Sequence, residues 1–282
     1  MNMKKKQCII VAGPTASGKT ELAIKLAKEF KTEIISADSR QCYKELRIGV
    51  ARPTEEQLNQ IPHHFIANHS IHENITAKTF ALEAEMMLES IFKKSDHVII
   101  CGGTGLYIKA LIEGFDDIPT IPDEIRNGVI TLYQNDGIEK LRSTLLKADP
   151  DFSSTGDINN PNRMMRALEV ISHTGNPISF YHKKQRKNID FNITYHITDL
   201  PRNLLYERID LRVEKMISEG LEEEARSLIS FQEKNALQTV GYKEFFDYFN
   251  GIYSKQVAVE KIKQHTRNYA KRQITWFKKF DS

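Results

Sequence analysis

Long apolar runs are missing from this sequence. No stretch approaches the ~20 residues that a membrane-spanning helix requires, so no membrane partner is expected. The chain opens MNMKKKQCIIVAGP, and its apolar run is only Cys8 to Ala12 before Gly13 and Pro14. That is shorter than the roughly 7–15 residues of a secretory h-region. Cysteine is scarce: Cys8, Cys42 and Cys101 lie far apart with no C-x-x-C pair. This argues against a zinc cluster or a disulfide framework and fits a reducing cytoplasm. An excess of one charge is lacking too, since 40 basic residues face 37 acidic ones for a net charge of +3. The expectation is a soluble cytoplasmic protein that works as a monomer.

The 282 residues allow about two structural units at roughly 150 residues each. Charge is unevenly placed. Lys255, Lys261, Lys263, Arg267, Lys271, Arg272, Lys278 and Lys279 crowd the end of the chain, opposed by Glu260 and Asp281. A second basic cluster runs through Lys183-Lys184-Gln185-Arg186-Lys187. Two basic patches on a near-neutral chain point to a polyanionic partner met by one face, against the plainer reading of a solvated lysine-rich helix.

Short apolar runs at 7–12, 33–37 and 97–101 alternate with helical spacing at 21–30, 76–94 and 106–112. Such alternation predicts a parallel sheet covered on both faces. The pattern changes near Gly114: from 116 to about 188 no strand signal appears. Ile138, Leu141 and Leu145 mark one helix there; Met164, Met165, Leu168 and Ile171 mark another. Strand alternation returns at Phe191, Ile193, Tyr195 and Ile197, and helices are expected over 201–218, 221–231 and 254–278. The predicted fold class is α/β, a P-loop NTPase-like parallel sheet core at 1–115 and 190–282 with C-terminal helices. A mainly helical insertion domain at 116–189 interrupts it.

Gly13, Pro14, Thr15, Ala16, Ser17, Gly18, Lys19 and Thr20 match G-x-x-x-x-G-K-[ST], the pattern of ATP-binding and other nucleotide-binding loops. A buried strand precedes it and an amphipathic helix follows, as a phosphate cradle requires. Gly13 and Gly18 let backbone amides wrap around phosphate oxygens, and the following helix points its positive end at the same anion. Lys19 supplies a point charge, and the Thr20 hydroxyl is the usual Mg²⁺ ligand. The loop does not say which bond breaks. It holds a nucleotide donor in kinases, and it serves equally for a pyrophosphate that departs while carbon is transferred.

Asp38 follows the run Ile34-Ile35-Ser36-Ala37, at the carboxyl end of a strand, where ligands bind in open α/β sheets. It suits a metal-bound water, a proton-accepting role, or the capping of the following turn. The next strand ends in Cys101-Gly102-Gly103-Thr104 without an acid, which counts against an ordinary ATPase. His63 and His64 are adjacent on an extended segment and point to opposite sides, so a packed, hydrogen-bonded loop is expected there. Trp276 and Phe277 read as packing rather than as base-stacking platforms.

Taken together, GPTASGKT at 13–20, DSRQCY at 38–43, GVARP at 49–53, PHH at 62–64, GGTGLYIKALIEG at 102–114, NPNRMMRALEV at 160–170, RIDLRV at 208–213, VGYKE at 240–244 and TRNYAKRQITWF at 266–277 resemble the tRNA dimethylallyltransferases, also called tRNA isopentenyltransferases. The resemblance implies transfer of a dimethylallyl group from dimethylallyl diphosphate to the exocyclic amine of an adenosine. That adenosine lies 3′-adjacent to the anticodon, in tRNAs reading codons that begin with U. By the same resemblance, Lys19, Thr20 with its Mg²⁺, and Arg208 stabilise the departing diphosphate, and Asp38 takes the proton from the attacking amine. Asp38, Ser39, Arg40, Gln41, Thr104, Arg126, Asn162, Arg163, Met164, Met165 and Arg166 contact the tRNA anticodon stem-loop. Gln41 reads a flipped base, while the insertion and the basic C-terminal helix clamp the stem. Arg52 stands where the family usually has lysine. The chain ends soon after Phe277 without a C-x₂-C…H finger, so a bacterial-like member is expected. A prenyltransferase acting on free adenine nucleotide, a nucleoside or nucleotide kinase, and a non-catalytic RNA-binding nucleotide sensor are the alternatives.

Overall fold

Alternate residues of β1 (Lys6–Ala12) enter opposite layers, which fixes the architecture. Cys8 and Ile10 join one apolar cluster, while Ile9 and Val11 join another. The computed structural model describes residues 6–182 and 187–280. The chain divides into two compact units, Met1–Glu113 with Lys187–Ser282, and Gly114–Arg186. Of the basic cluster at 183–187, Lys183, Lys184, Gln185 and Arg186 lie outside the described residues, as does Asp281.

After β1 come α1 (Lys19–Glu29), β2 (Ile34–Ser36), α2 (Glu55–Gln60), β3 (His63–His64), α3 (Ala77–Phe92), β4 (His97–Gly102) and α4 (Gly105–Glu113). The smaller unit then carries α5 (Asp123–Ala148), α6 (Phe152–Thr155) and α7 (Pro161–Thr174). The larger unit resumes with β5 (Phe191–Ile197), α8 (Arg202–Ser218), α9 (Leu221–Ser227), α10 (Tyr242–Phe249) and α11 (Lys255–Phe277). Its five strands run in the order β3-β2-β4-β1-β5, and every pairing is parallel.

Helices α3 and α4 cover one face of the sheet together with Phe277 of α11, and α1 covers the other. Double coverage does not extend to edge strand β5. Phe191, Ile193, Tyr195 and Ile197 pack on the α3–α4 side, while Asn192, Thr194 and His196 face outward and are exposed. An edge strand with one solvated face reads as alternation, not as a continuous apolar run.

The helix expected at Ile138, Leu141 and Leu145 is present, and a further helical stretch precedes it across a break at Gly137 (φ 76°, ψ −173°), a conformation that glycine adopts without Cβ strain. One helical expectation is corrected. The helix expected over 221–231 ends at Ser227, and Ile229–Phe231 forms a 3₁₀ turn. In the smaller unit, Val129, Leu141, Leu145, Phe152, Met164, Ala167 and Leu168 make the core. No helix among the described residues is long and apolar enough to cross a membrane.

Candidate active site

The carboxyl ends of β1, β2, β4 and β5 converge on one site, where an open parallel sheet places its ligands. The β1–α1 loop is shaped by close packing. Gly13 (φ 143°) lies so near Thr198 at the end of β5 that a Cβ would overlap it. Ser17 Oγ donates to the Pro14 carbonyl at 2.7 Å and lies 2.6 Å from Thr198 Oγ1. Ala16, at φ 64°, packs with Leu205, Ile209 and Ala270, which pins the loop tip to α8 and α11. Gly18 caps α1 in the left-handed conformation without a side-chain bond. The first-turn amides therefore open on the cavity in front, where helix N-termini attract anions.

That cavity, of about 1010 Å³, is lined by Thr15 through Glu21 and by Asp38, Gln41, Cys101, Arg212, Tyr269 and Gln273. Lys19 Nζ donates to the Pro14 carbonyl at 2.5 Å. Burial lowers its pKa to about 8; Cys101 and Asp38 oppose that shift and Arg212 adds to it. Burial likewise pushes the Cys101 thiol up to about 12, so it stays protonated and poorly nucleophilic.

Asp38 holds the following turn as well as facing the cavity. Its Oδ1 accepts from Arg40 N at 2.9 Å and Gln41 N at 3.2 Å, while Oδ2 has no hydrogen-bond partner among the described residues. Ser39 N donates to Thr104 Oγ1 at 3.0 Å, and the Thr104 hydroxyl also meets that of Tyr269. The Gln41 amide donates to the carbonyls of Val50 (3.2 Å) and Ala51 (3.0 Å), so its NH₂ group is spent on the 47–53 loop. Arg52 is spent there too. Its guanidinium reaches the carbonyls of Tyr43 (2.7 Å), Lys44 (3.0 Å) and Leu46, a three-way grip that suits an arginine fork better than a lysine.

A second cavity, of about 600 Å³, adjoins the first and shares Thr15, Asp38, Arg212 and Tyr269 with it. Its walls carry Arg40, Lys243, Lys261, His265 and Arg272 beside Glu244 and Asp247, so basic side chains outnumber acidic ones on the C-terminal side. Tyr269 is partly buried, and desolvation with the nearby Asp38 charge raises its phenol to about 12. It is a neutral wall between the cavities.

The arginines of α8 divide their work. Arg208 is exposed, with a guanidinium nitrogen 4.0 Å from where a Cβ on Gly18 would stand. Arg212, one turn on, donates to Thr15 Oγ1 at 3.2 Å. Burial lowers its pKa, opposed by Glu21 and Asp38. Sequence reasoning singled out Arg208 and missed Arg212, although spacing of four puts both on one helix face. It also missed Tyr269 and Gln273 of α11.

In the smaller unit, Asn162 and Arg163 are exposed on the first turn of α7, and Arg126 is exposed on α5. Arg166 is partly exposed and paired with Glu169 at 3.1 Å. Met164 is corrected: fully buried in that unit's core, it supports the helix from within and presents no surface to an RNA. Met165 is half-buried against the same core. In the larger unit, His64 Nε2 pairs with Glu33 at 2.7 Å and His63 Nδ1 meets the Ile61 carbonyl at 2.7 Å. Phe277 is a core residue.

Residues 41–280 match the family model of the IPP transferases. The chain belongs to the IPP transferase family. It is 43% identical to the tRNA dimethylallyltransferase of Cytophaga hutchinsonii over 279 residues, covering 99% of this chain and 92% of that protein. It is 44% identical to the Flavobacterium johnsoniae enzyme of the same name, covering 97% and 91%. Among solved structures, the tRNA isopentenylpyrophosphate transferase of Staphylococcus epidermidis is similar with a TM-score of 0.69 and 36% identity, over 97% of this chain and 90% of that one. A eukaryotic dimethylallyltransferase acting on tRNA is similar with a TM-score of 0.79 and 28% identity, over 97% and 70%.

Proposed function

We propose that this IPP transferase transfers a dimethylallyl group from dimethylallyl diphosphate to the exocyclic amine of the adenosine 3′-adjacent to the anticodon, in tRNAs reading U-starting codons, releasing diphosphate. The observation that carries the reading is the pair of adjoining cavities that share Thr15, Asp38, Arg212 and Tyr269. One is walled by the glycine-rich loop and suits a diphosphate. The other carries more basic than acidic side chains in its walls and suits a base presented by RNA.

In this reading the diphosphate rests against residues 13–20 of a P-loop NTPase-like core. The amine nitrogen attacks C1 of the donor, the C1–O bond breaks, and its electron pair leaves with the diphosphate. Lys19, Arg212 and Arg208 meet the negative charge that grows on the leaving oxygens. Oδ2 of Asp38, without a hydrogen-bond partner among the described residues, accepts the proton that the alkylated amine sheds. An aromatic amine is a weak nucleophile, so placement and leaving-group stabilisation dominate the rate. Tyr269, neutral and partly buried between the cavities, helps keep water from the junction.

Oxygen donors suited to Mg²⁺ are present: Thr20 and Asp38 line the same cavity, and Mg²⁺ is held by one or two protein oxygens together with substrate phosphates. When bound, the ion would neutralise diphosphate charge. On the smaller unit, Asn162, Arg163, Arg166 and Arg126 are the proposed contacts to the anticodon stem-loop, and on the larger, Ser39, Arg40, Gln41 and Thr104 join the basic side chains of α11. Binding through phosphates should weaken steeply with salt.

The test combines protein, Mg²⁺, dimethylallyl diphosphate and an anticodon stem-loop bearing the target adenosine, read by mass spectrometry for the added five-carbon group. Product formation is expected. Phosphoryl transfer from ATP with no prenylated RNA would replace this reading with the kinase.

A further inference from the structure

The β1–β4 ladder ends at the pair Ala12–Gly102, and beyond it the two chains part into separate loops. One side chain supplies the next rung. Gln273 of α11 is 5% exposed. Its Oε1 accepts from Thr15 N at 2.8 Å and its Nε2 donates to the Gly103 carbonyl at 3.0 Å. A Cβ at residue 103 would overlap Nε2, so the glycine is what admits the bridge.

The bridged loops lead to different halves of the site. Thr15 lies in the β1–α1 loop and takes Arg212 on its hydroxyl. Gly103 precedes Thr104, whose hydroxyl accepts from Ser39 N beside Asp38; Thr104 N donates to the Ala37 carbonyl at 3.1 Å. One amide therefore spans from the cradle of the leaving group to the turn that carries the base.

We propose that Gln273 is a positioning residue that sets the separation between the diphosphate loop and the Asp38 turn, and so the distance between donor carbon and acceptor amine. The inference rests on the function proposed above. Anchoring α11 does not need this amide. Ile262, Ala270 and Phe277 are buried, and Arg267 Nη1 donates to both carboxylate oxygens of Asp210 at 2.7 and 2.8 Å. Substitution at 273 should leave the helix docked while loosening the two loops. Both substrates would still bind their own loops, so the loss should fall on turnover.

The experiment compares wild type with Gln273→Met, of similar length without either hydrogen bond, and Gln273→Asn, too short to reach both partners. Steady-state kinetics with dimethylallyl diphosphate and the stem-loop RNA are read beside thermal midpoints. The expected result for Gln273→Met is a kcat lower by roughly 10- to 100-fold, with KM for each substrate within about threefold of wild type, and a smaller kcat loss for Gln273→Asn. A wild-type kcat in Gln273→Met, or a loss confined to KM, overturns the proposal. If Gln273→Met fails to fold, Gln273→Asn carries the same kcat-against-KM reading. Wild-type protein that transfers nothing overturns the functional reading, and this inference with it.

Discussion

Arg212 donates to the hydroxyl of Thr15 at 3.2 Å, across 197 residues of sequence. The contact ties α8 to the β1–α1 loop, and the partly buried guanidinium lines both cavities. Arg208, exposed one turn earlier, sits at the edge of the same loop near Gly18. A desolvated charge acts on developing anions far more strongly than an exposed one. Arg212→Ala should lower kcat/KM for the diphosphate donor by about 100- to 1000-fold, and Arg208→Ala by nearer tenfold. Measuring both variants against one RNA decides the ranking, and a larger loss in Arg208→Ala would reverse it.

The two oxygens of Asp38 differ in their partners. Oδ1 is committed to the amides of Arg40 and Gln41, while Oδ2 has no hydrogen-bond partner among the described residues and is the proposed proton acceptor. Asp38→Asn keeps an acceptor for the turn and removes the proton acceptor. Its kcat should fall by about 10²- to 10⁴-fold with a thermal midpoint near wild type. Asp38→Ala should lose the same activity and, in addition, about 1 kcal/mol of stability from the missing cap. Equal kinetics in Asp38→Asn and wild type would reduce Asp38 to its capping role.

Lys19 gives the site a pH signature. Its folded pKa, about 8, lies below that of a free lysine. Between about pH 8 and the free-lysine value near 10.4, the unfolded chain holds a proton that the folded chain has released. The Lys19 contribution to stability therefore rises with pH across that window and is at its least below pH 8. Function runs the other way: a diphosphate needs the ammonium form, so binding near and above pH 8 must draw a proton from solvent. Calorimetry of diphosphate binding in buffers of different ionisation enthalpy should show proton uptake at pH 8.5, and affinity should fall as pH climbs further. Uptake that persists in Lys19→Met would assign the proton elsewhere.

Much of this was readable in the sequence wherever a local rule sufficed. The continuous apolar runs of β1 and β4 and the glycine pattern after β1 are local signals. So is the return of period-two alternation at Phe191, Ile193, Tyr195 and Ile197, which marked β5 because its outer face is solvated. Elements with weak patterns escaped. Helix α2 has a Thr54–Gln57 capping box but no buried residue, and β3 is only two residues long. Helix α10 was legible in principle, since Tyr242, Phe245, Phe246 and Phe249 recur at helical spacing, all packed into one cluster. The roles of Arg212 and Gln273 were not legible. Gln273 meets Thr15 across 258 residues, and only the folded chain says which polar atom of α11 lies beside which amide. Met164 failed for the opposite reason: motif membership placed it on a binding surface, whereas helical phase buries it.

Glu224 shows how a carboxylate outside the chemistry keeps the cavity wall in shape. It accepts from the amides of Arg47, Ile48 and Gly49 at 2.9–3.3 Å and from the Tyr242 hydroxyl at 2.6 Å. Burial, then the Glu224 charge, raises the Tyr242 phenol well above its ordinary range, so the tyrosine remains a donor at every working pH. A Cβ on Gly49 would overlap the Tyr242 ring, so loop and ring fit only with glycine there. Tyr242→Phe removes one hydrogen bond and leaves the carboxylate three amides, so it should cost about 1–2 kcal/mol. Glu224→Ala strands the tyrosine and all three amides and should cost more, about 2–4 kcal/mol. Denaturant unfolding measures both. Because Ile48, Val50 and Ala51 line the larger cavity, proposed to hold the diphosphate, Glu224→Ala should also raise KM for the donor with kcat less affected. A Glu224→Ala protein as stable as Tyr242→Phe would mean that water satisfies the loop amides and the carboxylate is dispensable.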